Sequence, residues 1–113
     1  MIIWHNPKCS KSREALKLLE ESGQQCCTVK YLETSPTKED IKNLLKMLGI
    51  SARELMRTKE DIYKELGLAN VEEEELLVEA MATHPKLIER PIIIKDNKAV
   101  IGRPIEKVIE FIQ

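Results

Sequence analysis

One cysteine stands where nucleophilic thiol chemistry is expected. Cys9 follows a short apolar run and a polar turn, and it directly precedes a stretch with helical periodicity. A thiol at a helix N-terminus meets the positive end of the helix dipole and unpaired N–H groups, which favour the thiolate. The turn, residues 5–13, carries three basic residues and no acidic one. The pattern predicts an activated cysteine in preference to the competing interpretation, an inert buried thiol beside a solvated basic turn.

The other two cysteines fit this chemistry less well. Cys26 and Cys27 open a predicted strand, where alternation turns one side chain inward and the other outward. The start of this strand is expected at the opposite end of the sheet from Cys9, about 17 Å away along a five-residue strand. A disulfide needs Cα atoms within about 7 Å of each other. We therefore expect Cys9 to have no resolving cysteine and to be reduced by an outside thiol.

Three arginines could bind an oxyanion near this thiol. Arg90 and Arg103 each precede a proline, and Arg57 ends a predicted short helix. The guanidinium fork suits tetrahedral and planar oxyanions. Taken singly, each arginine is more often a surface salt-bridge partner, and spacing along the chain does not bring the three together.

The elements that must position these residues follow from the periodicity. Residues 1–4 predict a strand, 12–22 a helix and 26–32 a second strand, so the first third is a βαβ unit with parallel strands. The middle is helical and the last third is a hairpin turning at Asp96-Asn97, followed by a helix. The remaining predicted elements are helices 38–48, 52–57, 59–66 and 72–83, strands 91–95 and 98–101, and helix 105–111.

This order, βαβ … ββα, predicts an α/β protein with the thioredoxin-like fold. We expect a four-stranded mixed sheet with helices on both faces, in a single domain of residues 1–113 with a helical insertion at about 37–84. A net charge of −1 argues against a generally basic nucleic-acid binder. Neither a signal peptide nor a membrane span is expected, and three cysteines are too few for a secreted disulfide framework. The predicted location is the reducing cytoplasm.

At the level of motifs, the chain resembles the glutaredoxin-coupled arsenate reductases. His5-Asn6-Pro7-Lys8-Cys9-Ser10-Lys11-Ser12-Arg13 is similar to their catalytic turn. Residues 49–57, ending in Met56-Arg57, resemble their central arginine motif, and residues 84–92 and 102–104 resemble their closing motifs. The similarity covers essentially the whole chain, in order. The wider family also contains redox-responsive regulators that bind RNA polymerase.

The resemblance implies a role for each site residue. Cys9 is the nucleophile, His5 lowers its pKa, and Ser12 hydrogen-bonds the thiolate. Judged from the residues alone, His5 could equally be a satisfied strand-end histidine and Ser12 a plain helix cap. The oxyanion and the arsenic adduct are held by arginines, namely Arg57, Arg90 and Arg103.

The resemblance also implies the partners. These are arsenate or a similar oxyanion, glutathione as co-substrate and glutaredoxin, with no nucleic acid and no membrane. A monomer without a bound cofactor is expected, and the sequence has no paired His or Cys spacing typical of a zinc site.

One departure from the family concerns the substrate. Better-characterised arsenate reductases have Gly-Thr where this chain has Ser10-Lys11, and glycine lets the backbone approach an anion closely. Thiol chemistry is thus better supported than arsenate as the natural substrate. Two alternatives stay open. One is a redox-linked protein that binds RNA polymerase, although Ser12 stands where redox-sensing members carry a second cysteine. The other is a glutathione-dependent reductase of another oxidised thiol or electrophile.

Overall fold

The computed structural model describes residues 1–23 and 25–112. Its chain divides into two compact units. The first, the sheet unit, contains Met1–Thr34 and the segment that begins at Arg90. The second, the helical unit, is Ser35–Glu89. The prediction of a single domain with an insertion at about 37–84 stays a prediction, and each unit is described by itself.

The sheet unit contains four strands in the order β2-β1-β3-β4. β1 pairs in parallel with β2 and antiparallel with β3, and β3 pairs antiparallel with β4. The predicted four-stranded mixed sheet and thioredoxin-like fold are therefore confirmed. The elements of this unit are β1 (Ile2–Trp4), α1 (Ser10–Glu21), β2 (Cys27–Val29), α2 (Tyr31–Thr34), β3 (Ile92–Lys95), β4 (Lys98–Ile101) and α7 (Glu106–Ile112).

Both faces of the sheet are covered by helices. Ile3 and Ile93 are register partners in β1 and β3, and both are fully buried against α1 and α7. Trp4 points to the opposite face, because successive strand residues alternate. There its ring stacks on Tyr31 of α2, with the ring centroids 6.1 Å apart. The central strand β1, which leads into the turn that carries Cys9, is thus fixed by packing on both sides.

Several element boundaries differ from the sequence prediction by one to three residues. The second strand ends at Val29 rather than at residue 32, because the Lys30 carbonyl accepts hydrogen bonds from the N–H groups of Glu33 (2.9 Å) and Thr34 (3.1 Å) and so starts a helical turn. Packing of the Tyr31 ring outweighs its preference for strands. In addition, α1 begins at Ser10 rather than at residue 12. Ser12 is consequently the third helical residue, and the interpretation of Ser12 as a plain helix cap is wrong.

The helical unit begins with the best-predicted element. α3 spans Lys38–Leu48 as expected, and the Thr37 hydroxyl and Asp40 carboxylate form the reciprocal capping box at its start. Gly49 ends it with a left-handed φ of 69°. The unit continues with α4 (Ala52–Leu55), α5 (Asp61–Glu65), a 3-10 turn (Leu68–Asn70), α6 (Glu74–Thr83) and a second 3-10 turn (Pro85–Leu87).

Arg53 links several segments of this helical unit. Its guanidinium donates to the Leu68 carbonyl at 3.1 Å and also bonds the Val71 carbonyl and the Tyr63 hydroxyl. Sequence reasoning placed Arg53 in the central arginine motif without a role of its own. The two arginines of that motif, Arg53 and Arg57, therefore make different contacts.

Gly102 allows the end of β4 to approach the rest of the sheet unit. A Cβ at this position would lie 2.9 Å from Pro91 Cγ, 2.9 Å from Val108 Cγ2 and 3.2 Å from Ile93 Cδ1. Its N–H donates to the Pro91 carbonyl at 2.8 Å. Gly102 thus fixes where the next residue, Arg103, leaves the sheet.

We expect Gly102→Ala to destabilise the protein by about 1–3 kcal/mol, because the added methyl group overfills this contact. Urea unfolding followed by circular dichroism measures the change. Gly23→Ala is the control. It makes the same substitution at a position where no neighbour lies within 4 Å of the added Cβ. Its cost comes from backbone strain alone, so it should leave Cys9 reactivity unchanged, whereas Gly102→Ala should also slow alkylation of Cys9. A wild-type unfolding midpoint for Gly102→Ala would contradict the packing argument.

Candidate active site

Cys9 is the N-cap residue of α1. Its backbone is extended (φ −95°, ψ 122°), and its carbonyl accepts the first helical hydrogen bond from the Arg13 N–H at 3.0 Å. Ser, Thr, Asp or Asn usually occupies this position, where the side chain faces the N–H groups of the first turn. The cysteine sulfur takes that place here without forming a cap hydrogen bond of standard geometry. Cys9 is buried, with 9% of its surface exposed.

The turn before Cys9 is held by its own backbone and by two side chains. The His5 N–H donates to the Val29 carbonyl at 2.8 Å, which ties the end of β1 to β2. The Asn6 side chain accepts from the Lys8 N–H at 3.0 Å, and the Asn6 carbonyl accepts from the Cys9 N–H at 3.0 Å. Arg13 Nη1 donates to the Pro7 carbonyl at 3.0 Å. These bonds give the sulfur a defined position at the end of the sheet.

Two of the three predicted arginines lie at the sulfur. Arg103 Nη2 is 3.3 Å from Cys9 Sγ, and Arg103 Nε donates to the Arg90 carbonyl at 2.7 Å. The Arg90 guanidinium also hydrogen-bonds Cys9. Both arginines precede cis peptide bonds, Arg90-Pro91 and Arg103-Pro104. Residues at opposite ends of the sequence therefore surround one thiol with positive charge.

The pKa of Cys9 lies below its ordinary value. Burial is the largest single influence and raises the pKa, because it disfavours the charged thiolate. The backbone N–H of Ser12, the guanidinium of Arg90 and the backbone N–H of Lys11 all lower it, and together they outweigh burial. Hydrogen-bond donors thus stabilise the thiolate at a buried position.

His5 and Ser12 form a buried pair beside the sulfur. His5 Nδ1 lies 2.6 Å from Ser12 Oγ, which also accepts a hydrogen bond from the Asn6 N–H at 3.0 Å. Burial and the positive charges of Lys30 and Arg13 lower the pKa of His5, against a raising effect of its hydrogen bond to Ser12. The ring is therefore neutral at neutral pH. It supports the catalytic turn through Ser12, while Ser12 acts on Cys9 through its backbone N–H.

Arg57 lies in the helical unit, two residues after α4 ends at Leu55 rather than at the end of the helix as predicted. Its guanidinium bonds the Glu60 carboxylate, and Arg57 Nε is 3.7 Å from Glu89 Oε1. The backbone N–H of Arg57 donates to the Leu87 carbonyl at 2.7 Å. The two carboxylates hold the side chain and balance its charge within this unit.

Cys26 and Cys27 occupy the positions that strand alternation predicts. Cys26 is half-buried against the core of the sheet unit and Cys27 is exposed. Cys27 pairs with Ile2, at the end of β1 remote from the catalytic turn. Among residues 1–23 and 25–112, no group of three His, Cys, Asp or Glu side chains is arranged to hold a metal ion. The described helices include none long and apolar enough to cross a membrane.

The comparison with protein families decides the relationship. The model of the ArsC family matches residues 4–111, nearly the whole chain. This chain belongs to the ArsC family. The arsenate reductase of Neisseria meningitidis serogroup A is 51% identical over 108 residues, which cover 94% of this chain and 92% of that protein. The uncharacterized protein YfgD of Escherichia coli K12 is 55% identical over 112 residues, covering 97% of this chain and 94% of that protein.

Solved structures of the ArsC family agree with this fold. The arsenate reductase from Vibrio cholerae superposes with a TM-score of 0.93 at 52% identity, over 96% of this chain and 94% of that one. The family resemblance stated from the motifs is thereby confirmed. The roles assigned to individual residues remain predictions. The distances around Cys9 indicate which side chains to substitute in testing them.

Sequence reasoning missed two contributors to this ArsC site, the Asn6 side chain and Gly102. It expected N–H groups of a helix N-terminus at the thiol, and these are the N–H groups of Lys11 and Ser12. Asn6 could have been found, since Asn before Pro commonly starts a turn through its side chain. The role of Gly102 depends on distant neighbours, which no local pattern reveals.

We expect Cys9 to be alkylated by iodoacetamide at pH values where an ordinary cysteine is protonated. Because its pKa is lowered, the rate stays high as the pH falls below the ordinary thiol pKa and declines only through the lowered one. Arg90→Gln removes a thiolate-stabilising guanidinium and should slow the reaction at near-neutral pH by roughly threefold to tenfold. A pH series between about 5 and 9 measures both proteins. Lys8→Gln removes one positive charge from the same turn and is the control. Identical profiles for wild type and Arg90→Gln would refute the assignment.

Proposed function

We propose that this protein reduces arsenate to arsenite through Cys9, with glutathione and glutaredoxin as reductants. The observation that carries the proposal is the Cys9 sulfur, which has a lowered pKa and lies 3.3 Å from Arg103 Nη2. The same donors suit an oxyanion, because a guanidinium binds two oxygens of a tetrahedral anion at once. A nucleophile and an oxyanion site are thus combined in one place.

That the chain is an oxidoreductase is supported by its ArsC relatives, several of which are named arsenate reductase. Membership in the family says less about the reductant. The proposal of glutathione rests on the family resemblance together with the position of Cys26 and Cys27 at the other end of β1 and β2. A lone catalytic thiol needs an external thiol to complete a two-electron reduction.

The first step uses charge that is already in place. The Cys9 thiolate attacks arsenic(V), a sulfur–arsenic bond forms, and one arsenate oxygen leaves as hydroxide or water. Arg90 and Arg103 stabilise the negative charge that builds on the remaining oxygens, at no cost of reorganisation in solution. Desolvation at a buried sulfur strengthens these interactions.

The next steps transfer two electrons to arsenic. The glutathione thiolate attacks the Cys9-bound adduct and forms a second sulfur–arsenic bond, with loss of another oxygen as water. A glutaredoxin thiolate then attacks the glutathione sulfur. A disulfide forms between glutaredoxin and glutathione, and the bond between the glutathione sulfur and arsenic breaks. The electron pair of that bond stays on arsenic, which becomes arsenic(III). Water displaces Cys9, and arsenite leaves.

Further parts of the proposal rest on the family resemblance alone. Arg57 is the third oxyanion ligand, and its pairing with Glu60 and Glu89 means that the oxyanion competes with two carboxylates for it. The chain acts as a monomer without a resident metal or cofactor. The reaction takes place in the cytoplasm, where glutathione is available.

Arsenate-dependent oxidation of NADPH, coupled through glutathione, glutaredoxin and glutathione reductase, tests the central proposal. Wild type should turn over and Cys9→Ser should lose at least about 1,000-fold in kcat, because the nucleophile is gone. Cys27→Ser is the control, since Cys27 is exposed and distant along the sheet from the catalytic turn, and it should retain wild-type activity. A folded wild type with a reactive Cys9 but no turnover would exclude arsenate as the substrate.

Arg57→Gln tests the third arginine separately. Loss of an oxyanion ligand should lower kcat/KM for arsenate by about 10- to 100-fold while the rate of Cys9 alkylation stays unchanged. Both rates are measured on the same preparation. An equal fall in both would instead indicate that the substitution disturbs the fold, and unchanged turnover would remove Arg57 from the site.

A further inference from the structure

A cleft in the sheet unit shares two residues with the surroundings of the Cys9 sulfur. Its volume is about 340 Å³. Two of its lining residues also act on the thiol: Arg103 donates to the sulfur from Nη2, and Lys11 lowers the Cys9 pKa through its backbone N–H. The remaining lining residues are Glu14, Gly102, Pro104, Ile105 and Glu106. A molecule in this cleft can contact Arg103, whose guanidinium also contacts the Cys9 sulfur.

The charges of the cleft are mixed. Arg103 and Lys11 are cationic, whereas Glu14 and Glu106 are anionic, and Pro104 and Ile105 supply apolar surface between them. Lys11 is bound only weakly within the protein, because its ion pair with Glu14 spans 3.9 Å and both side chains are more than half exposed. The carboxylates of Glu14 and Glu106 would repel a small inorganic oxyanion placed between them. This arrangement instead fits an extended zwitterion with separate carboxylate and ammonium groups.

We propose that this cleft binds the thiol co-substrate, a small peptide thiol of the glutathione type, and that Lys11 sets its specificity by pairing with a carboxylate. Glu14 and Glu106 face the ammonium group of the same molecule. The inference rests on the proposed function only in placing the attack of this thiol after the attack of Cys9 on the oxyanion. The cleft and its charges exist whether or not arsenate is the substrate.

The two parts of Lys11 act separately. Its backbone N–H lowers the Cys9 pKa, whereas its side chain lines the cleft. The side chain can therefore contact a co-substrate without giving up the support of the thiolate by the backbone.

A disulfide exchange reaction tests the cleft without arsenate. The Cys9 thiolate attacks one sulfur of glutathione disulfide, a Cys9–glutathione disulfide forms, and one glutathione thiolate leaves. The same reaction with 2-hydroxyethyl disulfide, a neutral reagent of similar chemistry, has no charges for the cleft to recognise. The ratio of the two second-order rate constants, followed by mass spectrometry of the Cys9 peptide, therefore reports recognition and cancels changes in thiol reactivity.

Lys11→Gln should lower this ratio by about fivefold, as expected for loss of one favourable charge pair at a partly exposed site. The matched control is Lys17→Gln, because Lys17 lies on the same helix, is exposed and has a similar 3.9 Å ion pair, with Glu21. It removes the same net charge outside the cleft and should leave the ratio within about twofold of wild type.

Three results would overturn the proposal. These are a wild type that reacts no faster with glutathione disulfide than with the neutral disulfide, an unchanged ratio for Lys11→Gln, and an equal fall for Lys11→Gln and Lys17→Gln. The last would show that long-range charge, not the cleft, attracts the anionic disulfide. Because no arsenate is present, a negative arsenate assay does not affect this experiment. Conversely, successful arsenate turnover does not rescue the cleft if the ratio fails to change.

Discussion

The stabilisation of a thiolate at a buried position is the constraint on which the sheet unit depends. Burial alone would neutralise Cys9, and the structure opposes it with donors from three parts of the chain: the first turn of α1, Arg90 and Arg103. None of these donors belongs to the strand that delivers the cysteine. The fold must therefore bring separate segments to one sulfur, and most of its local features serve that end.

The antiparallel pairing of β1 with β3 does the largest part of this work. It places the start of β3 next to the end of β1, so that Arg90 arrives beside the catalytic turn. The hairpin returns the chain through β4 to Gly102, whose missing side chain lets Arg103 reach both Cys9 and the Arg90 carbonyl. Arg103 thereby joins the two X-Pro segments to the thiol. Packing in the core and electrostatics at the site are coupled through a single glycine.

The sequence was informative where the signal is local. The helical periodicity predicted α3 at residues 38–48 to the residue. Short apolar runs, alternation in the second strand and the turn at Asp96-Asn97 predicted all four strands. It failed at Tyr31, because the stacking partner Trp4 lies 27 positions away and overrides strand preference. At the site, Cys9 could be found from its position before a helix. The position before a helix also predicted backbone N–H donors. The approach of Arg90 and Arg103 could not be predicted, because it depends on the pairing of the whole sheet.

The donors around Cys9 also determine how the sulfur behaves as a leaving group. A thiolate that is stabilised by Arg103 and by the first turn of α1 departs readily from any bond it has formed. The reduced protein gains these contacts and a mixed disulfide at Cys9 loses part of them, so the fold itself drives the disulfide toward reduction. By linkage this raises the reduction potential of the Cys9–glutathione pair above that of an exposed cysteine. The contacts that make the thiol acidic thus also weaken any covalent bond that Cys9 forms.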